Sequence, residues 1–559
     1  MTSACESGVL RRLLFASALF LAGAGGAVAQ EAAPAEEPPL AAPEAAPEAA
    51  PEAAPDQGPA FDIEAFDIEG NTLLAAIEVE AAVYPYMGPG RFGADVDKAR
   101  EALEEAYRAK GYQSVVVEIP PQRADAGLVK LSVVEAPVGR LRVQGARYFS
   151  PEMIRRQAPS LVEGQTPNLT AAQAELSDIN RLPDRRVTPV LKAGIVPGTI
   201  DIELKVSDTL PVHAVVEANN DHADGTTSTR TSATVRYTNL WQEGHSISAT
   251  YLAAPERIED AEVFAGSYLA PIWGTPWSVL VFGYHSNSNI NTLGGASVLG
   301  KGYSIGARGI YQLPAWGPVS QTLTLGLDYK SFDEAITLGT PGTTPDESPI
   351  RYVPLTVAYG LQTGDENSTS NLTLSVTAGL RGVGSDAEDY AVKRAYSTGN
   401  FVHANLDIDH TRTLADGSVL LLRWSSQLAD QPLASAEQFS AGGFSTVRGY
   451  LQSEAVGDNG VFASVEIRSP NLSPLLGERI SGLVEDWRFY GFLDGAMTRT
   501  IQPLPDQEAE FTLAGAGIGL RLQMLRYVYG DVVVGLPLIE TLSSDQNEPR
   551  VTFSLKMEF

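Results

Sequence analysis

The chain holds a single cysteine, Cys5, ahead of its first apolar stretch. With none after it, the body of the chain can form no disulfide framework, no cysteine-ligated zinc site and no thiol nucleophile. Positive charge is also scarce. Forty Lys and Arg stand against sixty-eight Asp and Glu, a net charge of −28, so nucleic acid, which needs a basic footprint to displace its counterions, is not an expected partner. The six His show no H-E-x-x-H or other metal-ligand spacing, and no G-x-x-x-x-G-K-[ST] loop is present to cradle a nucleotide. No enzyme activity, metal or cofactor is expected. No run past the first thirty residues is apolar over the ~20 positions that a membrane helix needs. Gly is plentiful, at 52 residues, while charged residues make up only 19 %. That combination is unlike an ordinary cytosolic enzyme.

Residues 1–29 read as a secretory signal peptide. Arg11 and Arg12 form its positive start, Leu13 to Leu21 its apolar stretch, and Ala27-Val28-Ala29 the cleavage site before Gln30. The apolar part is too short for a membrane anchor. Residues 30–60 contain PEAAPEAAPEAAPDQGPA, with Pro about every fourth position and no Lys or Arg. Pro at that spacing forbids a continuous helix, and the lack of large apolar groups forbids a core. The stretch reads as a disordered, semi-extended acidic linker.

Two copies of one pattern follow. In the first, FDIEAFDIEG (61–70) alternates like a strand and stops at a Gly. A helical patch runs over Leu73 to Val83, and a helix over Asp95 to Lys110 carries apolar or small residues at Val96, Ala99, Leu103 and Tyr107 and stops at Gly111. Strands at 112–119 and 128–137 close the unit around a turn at 120–127. The second copy opens with RLRVQG (140–145). It continues with a helix capped by Ser150 ahead of Pro151 and a helix from Thr170 to about Arg181 with a weak T-A-A-Q capping box. Strands at 185–194 and 199–208 end it. The shared markers are Ile68-Glu69-Gly70 and Val143-Gln144-Gly145, the Lys110-Gly111-Tyr112 break, and the endings VVEAP and VSDTLP. Tandem β-α-α-β-β units of this kind resemble POTRA domains, POTRA 1 at 61–137 and POTRA 2 at 138–210. The resemblance implies sheet edges that take up extended client polypeptide by β-augmentation; rigid spacers are the plainer alternative.

From Pro211 to Phe559 the helical period gives way to period two. Sixteen segments alternate, among them TSATVRYTNL, WSVLVFGYH, QTLTLGLDYKSF, NLTLSVTAGLR and RVTFSLKMEF. The spacing of roughly 22 residues per strand and connection suits membrane strands of ~9–11 residues. A soluble sandwich would alternate similarly. Three features favour a 16-stranded antiparallel transmembrane β-barrel. Aromatics (Tyr237, Trp241, Tyr251, Tyr268, Trp273, Trp277, Trp424, Trp487) sit near strand ends as a girdle. The even count permits closure. The chain also ends with Val551, Phe553, Leu555, Met557 and Phe559 on one face. A terminal Phe so placed resembles the signal that hands outer-membrane barrels to the assembly machinery. The fold class is thus mixed: two POTRA domains, then the barrel.

Two motifs narrow the class. The stretch AGGFSTVRGYLQSEAVGDNGVFASVEIRSP (441–470), with Val447-Arg448-Gly449-Tyr450 at its centre, resembles the sixth-loop region of two-partner secretion transporters, the TpsB or ShlB/FhaC/HecB family. That family lies within the POTRA–barrel superfamily. Phe492-Leu493-Asp494 resembles the superfamily's F-x-D-x-G element, with Ala496 where the family has its last Gly and a Gly at Gly495 instead. The resemblance implies that the loop at 441–458 folds into the lumen and that Arg448 pairs with Asp494 on the wall, with Phe492 beside it. It also implies an ATP-independent outer-membrane transporter of a Gram-negative bacterium, with POTRA domains in the periplasm. Its partners would be a large secreted client, a TpsA-like exoprotein, together with outer-membrane lipid and the assembly machinery. A barrel-assembly insertase of the same superfamily and a diffusion porin are the alternatives. Gly302-Tyr303-Ser304-Ile305-Gly306 satisfies G-x-S-x-G but lies in an alternating segment with no helix after it.

Overall fold

The computed structural model describes residues 60–559 except 123–126, 288–289, 294–295, 299–300, 334–348 and 506. The expected signal peptide, the linker up to residue 59 and the middle of the 120–127 turn lie outside the described residues. Two compact units divide the rest, one ending at Leu210 and the other beginning at Pro211.

The N-terminal unit repeats one plan. Its first half contains β1 (Phe61–Ile63), β2 (Ala65–Glu69), α1 (Ala76–Val83), β3 (Gly88–Arg91), α2 (Gly93–Ala109), β4 (Val116–Glu118) and β5 (Leu128–Val134). Its second half contains β6 (Val138–Gln144), α3 (Pro151–Arg156), α4 (Leu169–Ile179), β7 (Arg185–Ala193) and β8 (Ile200–Asp208). In each half the first sheet strand runs parallel to the last, which sits in the centre: β2-β5-β4 and β6-β8-β7. Val96, Ala99, Leu103 and Tyr107 of α2 are buried, one face at helical spacing. In the second half Arg185 is buried; its Nη2 donates to the Ile179 carbonyl at 2.9 Å, and burial presses its guanidinium down to about 10.

A pair of matched devices explains the repeated markers. Gly70 (φ +88°) and Gly145 (φ +90°) end their strands where a Cβ would lie 2.2 Å from the Val133 carbonyl oxygen and 2.4 Å from that of Val206; only Gly fits. Two residues beyond each contact, an acid closes the same turn. Glu135 accepts from the amides of Thr72 and Leu73 at 2.8 and 3.1 Å. Asp208 accepts from those of Arg147, Tyr148 and Phe149 at 2.9, 2.8 and 3.1 Å. Asn168, not Thr170, caps α4: its Oδ1 accepts from Ala171 N at 3.0 Å while its Nδ2 donates to Lys110 O at 2.9 Å. That second bond ties α4 to the end of α2.

Other expectations shift. The strand at 61–70 divides at Glu64, and its first part pairs with the short β3. The helical patch at 73–83 starts only at Ala76. The strand at 112–119 shrinks to Val116–Glu118, because a turn at Gly111 (φ +93°) carries Tyr112 N back to Tyr107 O at 3.0 Å.

The second unit is a closed barrel of sixteen antiparallel strands. They are β9 (Val212–Asn219), β10 (Arg230–Leu240), β11 (His245–Ala253), β12 (Glu262–Pro271), β13 (Trp277–Ser286), β16 (Lys301–Trp316), β17 (Val319–Asp333), β18 (Ile350–Gly364), β19 (Ser368–Gly384), β20 (Val402–Thr413), β21 (Val419–Ala429), β24 (Asn459–Arg468), β25 (Val484–Arg499), β26 (Glu510–Met524), β27 (Val528–Pro537) and β28 (Arg550–Glu558). Small hairpins β14 (Ile290–Leu293) with β15 (Ala296–Val298) and β22 (Phe439–Ala441) with β23 (Ala455–Gly457) lie in loops. β28 pairs with β9 to close the ring, which leaves no edge for hydrocarbon to meet. Val551, Phe553, Leu555 and Met557 face outward and exposed. At the rim where the chain enters the barrel the strands are joined by two to five residues, except for the fifteen between β24 and β25, and longer loops join them at the far rim. Trp241 and Trp277 lie at strand ends as expected, but Trp424 is mid-strand in β21. Gly302 to Gly306 lie inside β16, so no strand-to-helix elbow forms there.

Candidate functional site

Strand alternation builds the wall of the site. Tyr490, Phe492, Asp494 and Ala496 of β25 are buried, while Leu493 and Met497, on the alternate positions, are exposed. Ser464 of β24 pairs with Asp494 in register, and Glu466 with Phe492, so four inward side chains share one patch. The loop from β21 to β24, residues 430–458, folds against it. This loop is longer than the 441–458 expected.

Arg448 is the only Lys or Arg in that loop. Its Nε donates to Asp494 Oδ2 at 2.8 Å and its Nη2 to Asp494 Oδ1 at 2.9 Å, a bidentate grip matching the planar fork to the carboxylate. The Arg448 backbone N–H reaches Asp494 Oδ2 at 3.1 Å. Nη1 donates to Glu466, and Ser464 Oγ donates to Asp494 Oδ1 at 2.6 Å. The Phe492 ring lies under the guanidinium, 3.7 Å from centroid to Cζ, close enough for cation–π attraction. The Asp494 side chain is fully buried. A carboxylate so placed is stable only with its partners in position.

The charges balance over a wider circle. Arg468 Nε donates to Glu466 Oε1 at 2.8 Å, Arg521 Nη1 stands 3.7 Å from the same oxygen, and Arg521 Nε donates to Asp531 at 2.6 Å. Three guanidiniums thus face three carboxylates. Glycines make the seat. A Cβ on Gly515 would lie 2.2 Å from the Arg448 carbonyl oxygen, and one on Gly535 2.6 Å from Gly449 N, while Gly449 itself has φ +103°. Beside it, Val447 is fully buried, and the Tyr450 hydroxyl lies 2.9 and 2.8 Å from the carbonyl oxygens of Ala514 and Ile539. The Ala496 methyl packs in the same cluster as Val447, Tyr450 and Phe462.

The family model for haemolysin secretion/activation protein ShlB/FhaC/HecB matches residues 198–522, more than half of the chain. The chain belongs to the ShlB/FhaC/HecB family. A ShlB-type POTRA domain model matches residues 61–136. Among curated relatives, the heme/hemopexin transporter protein HuxB of Haemophilus influenzae is 21 % identical over 74 % of this chain and 73 % of its own. The outer membrane transporter CdiB of Escherichia coli is 21 % identical over 86 % of this chain and 80 % of its own. The solved structure of Escherichia coli CdiB superposes with a TM-score of 0.63 at 20 % identity, covering 91 % of this chain and 93 % of that one. BamA from Haemophilus ducreyi lacking POTRA domains 1–3 shares the fold at a TM-score of 0.53 and 16 % identity, over 89 % and 100 %. As a ShlB/FhaC/HecB member the chain is an outer-membrane β-barrel transporter with its POTRA domain in the periplasm.

Of the site residues expected from the sequence, Val447, Arg448, Gly449, Tyr450, Phe492 and Asp494 come together. Phe559 lies elsewhere, exposed at the end of β28, its backbone paired with Ala214 and its ring stacked on Tyr527 at 5.8 Å. The expectation missed the roles of Glu466, Ser464 and the glycine floor. Inward parity with Asp494 was the signal available for the first two. It also missed Asp458, fully buried in the loop's second leg, which accepts from Leu433 N at 2.9 Å, Gln438 Nε2 at 2.9 Å and Ile501 N at 2.7 Å.

Proposed function

We propose that this transporter exports one large, unfolded, TpsA-like client from the periplasm through its barrel to the cell surface, and that Arg448 latches the loop that blocks the way. The observation that carries this reading is a guanidinium drawn deep into a closed barrel onto a buried carboxylate. Such a pair can hold a loop across the lumen and release it without breaking the wall. Residues 1–29 act as signal peptide and 30–60 as linker. Residues 61–137 and 138–210 act as two POTRA domains, and 211–559 as the barrel, with its long-loop rim outward. The shared glycine–acid device supports the second POTRA domain. The client adds to an open sheet edge by main-chain hydrogen bonds. The loop yields, and folding outside gives direction without a nucleotide or cofactor. Phe559 marks the barrel for the assembly machinery, and outer-membrane lipid surrounds it.

The test is genetic. Deleting the gene in its host should remove one large polypeptide from the surface or medium, and the wild-type gene should restore it. Arg448→Ala should reach the outer membrane in normal amount yet restore little export. An unchanged secreted proteome, or a general loss of outer-membrane barrels instead of one client, would overturn the reading.

A further inference from the structure

The same loop is held at a second place, by side chains other than those that hold Arg448. Glu437 sits in a short 3₁₀ turn at Ser435–Glu437, on the rising leg, before the 441–458 segment begins. Its side chain is only 5 % exposed. Lys330 of β17 donates Nζ to Glu437 Oε1 at 2.6 Å. The Tyr352 hydroxyl of β18 donates to the same oxygen at 2.7 Å, and His403 Nε2 of β20 lies 3.3 Å from Oε2. The main chain is held as well, for Gln427 Nε2 of β21 donates to the Glu437 carbonyl at 2.8 Å. Four strands therefore converge on one loop residue. His403 is itself set by Asn405, 2.7 Å from its Nδ1, and by the Phe401 ring stacked on it at 5.8 Å. None of these strands carries a hydrogen-bond partner of the Arg448 side chain, whose partners lie on β24 and β25, although Arg423 of β21 donates to the nearby Ser445 carbonyl at 2.9 Å.

A buried carboxylate needs charge and hydrogen bonds to be stable away from water. Among the described residues Glu437 finds them on the barrel wall, so lifting the rising leg strands the acid and leaves Lys330 without it. The loop would be a strap with two fastenings. The Arg448 end can let go while the Glu437 end still keeps part of the lumen covered.

We propose that Glu437, held by Lys330, Tyr352 and His403, is a positioning residue for transport: a second latch on the lumen loop, acting independently of Arg448. This rests on the reading of the loop as the gate.

Planar-bilayer conductance of the full-length protein tests it with small ions alone, so no client is needed. Glu437→Gln and Lys330→Met should each raise the open probability by roughly tenfold or more, the scale for losing a charge-assisted hydrogen bond. The exchange Lys330→Glu with Glu437→Lys should bring it back toward wild type, which loss of packing would not. Glu437→Gln combined with Arg448→Ala should open the pore by about the product of the two single effects, as independent latches require. All variants should keep the heat-dependent gel mobility of a folded barrel. Folded Glu437→Gln and Lys330→Met with wild-type conductance, or an exchange that restores nothing, would overturn the second latch. If Arg448→Ala opens the pore and Glu437→Gln does not, only the second latch fails. If Glu437→Gln opens it and Arg448→Ala does not, the Arg448 latch fails and this one stands.

Discussion

Acids do opposite work in the two units. In the N-terminal unit, Glu135 and Asp208 accept from backbone amides of the turn that follows their own sheet's first strand. Their partners belong to the fold and leave only if the fold does. In the barrel, Asp494 and Glu437 hold the ends of a loop that lies apart from the ring of strands. Those bonds can break while the sixteen-stranded ladder stays whole. Buried carboxylates thus fix a framework in one place and tether a displaceable segment in the other. The difference lies in what the partner is attached to.

The framework is where a single substitution costs most. Gly145→Val puts a branched side chain at φ +90°, where a Cβ already falls 2.4 Å from Val206 O. The backbone cannot relax without parting β6 from β8. The expected cost exceeds about 4 kcal/mol, the range of core strain and overpacking combined. Trypsin should then cut the full-length protein at Arg140, Arg142 and Arg147, while the barrel keeps its heat-dependent gel mobility. Resistance to cleavage matching wild type would show that the glycine is not what the second half is built around.

A gentler contrast applies one chemical change to both units. Asn caps a turn nearly as well as Asp because it keeps the acceptor oxygen, so Asp208→Asn should cost under about 1 kcal/mol and leave proteolysis unchanged. At the lumen latch the charge itself matters. Asp494→Asn loses attraction for Arg448 and Ser464, worth about 1.5–3 kcal/mol for bonds to charged groups. It should raise bilayer open probability by roughly tenfold or more without unfolding the barrel. Equal effects of the two substitutions on stability would erase the distinction between framework and tether.

Much of this was legible in the sequence, and for identifiable reasons. Period two makes strand faces readable, so the outward set ending at Phe559 follows from counting, while Arg448 and Asp494 were legible through the resemblance of Val447-Arg448-Gly449-Tyr450 and Phe492-Leu493-Asp494 to the family's motifs. What escaped depends on contacts between distant segments. Glu437 meets Lys330 across 107 residues and Tyr352 across 85, and nothing near Ala436-Glu437-Gln438 hints at either. Gly88-Pro89-Gly90-Arg91 has the composition of a turn, yet it forms β3 because Asp62 Oδ1 reaches Gly90 N at 2.8 Å. The T-A-A-Q run places the start of α4 at Thr170, whereas Asn168, two residues earlier, supplies the cap. The glycines of β26 read as ordinary strand glycines until the loop is seen lying on them.

The aromatic side of the tether contributes least. Phe492 makes no hydrogen bond with Arg448; it offers only its ring face, 3.7 Å from the guanidinium carbon. It is buried on the same inward row as Asp494, but the guanidinium's charge is already met by two carboxylates, so the attraction is set at the weak end of its range, about 0.5–1 kcal/mol. Phe492→Leu keeps an apolar side chain there and removes the ring. The bidentate grip of Asp494 would remain, so open probability should rise only a few-fold, well short of Asp494→Asn. Client export should stay close to wild type. A change as large as that of Asp494→Asn would mean that the ring, by fixing the guanidinium's plane, governs the latch more than the carboxylate does.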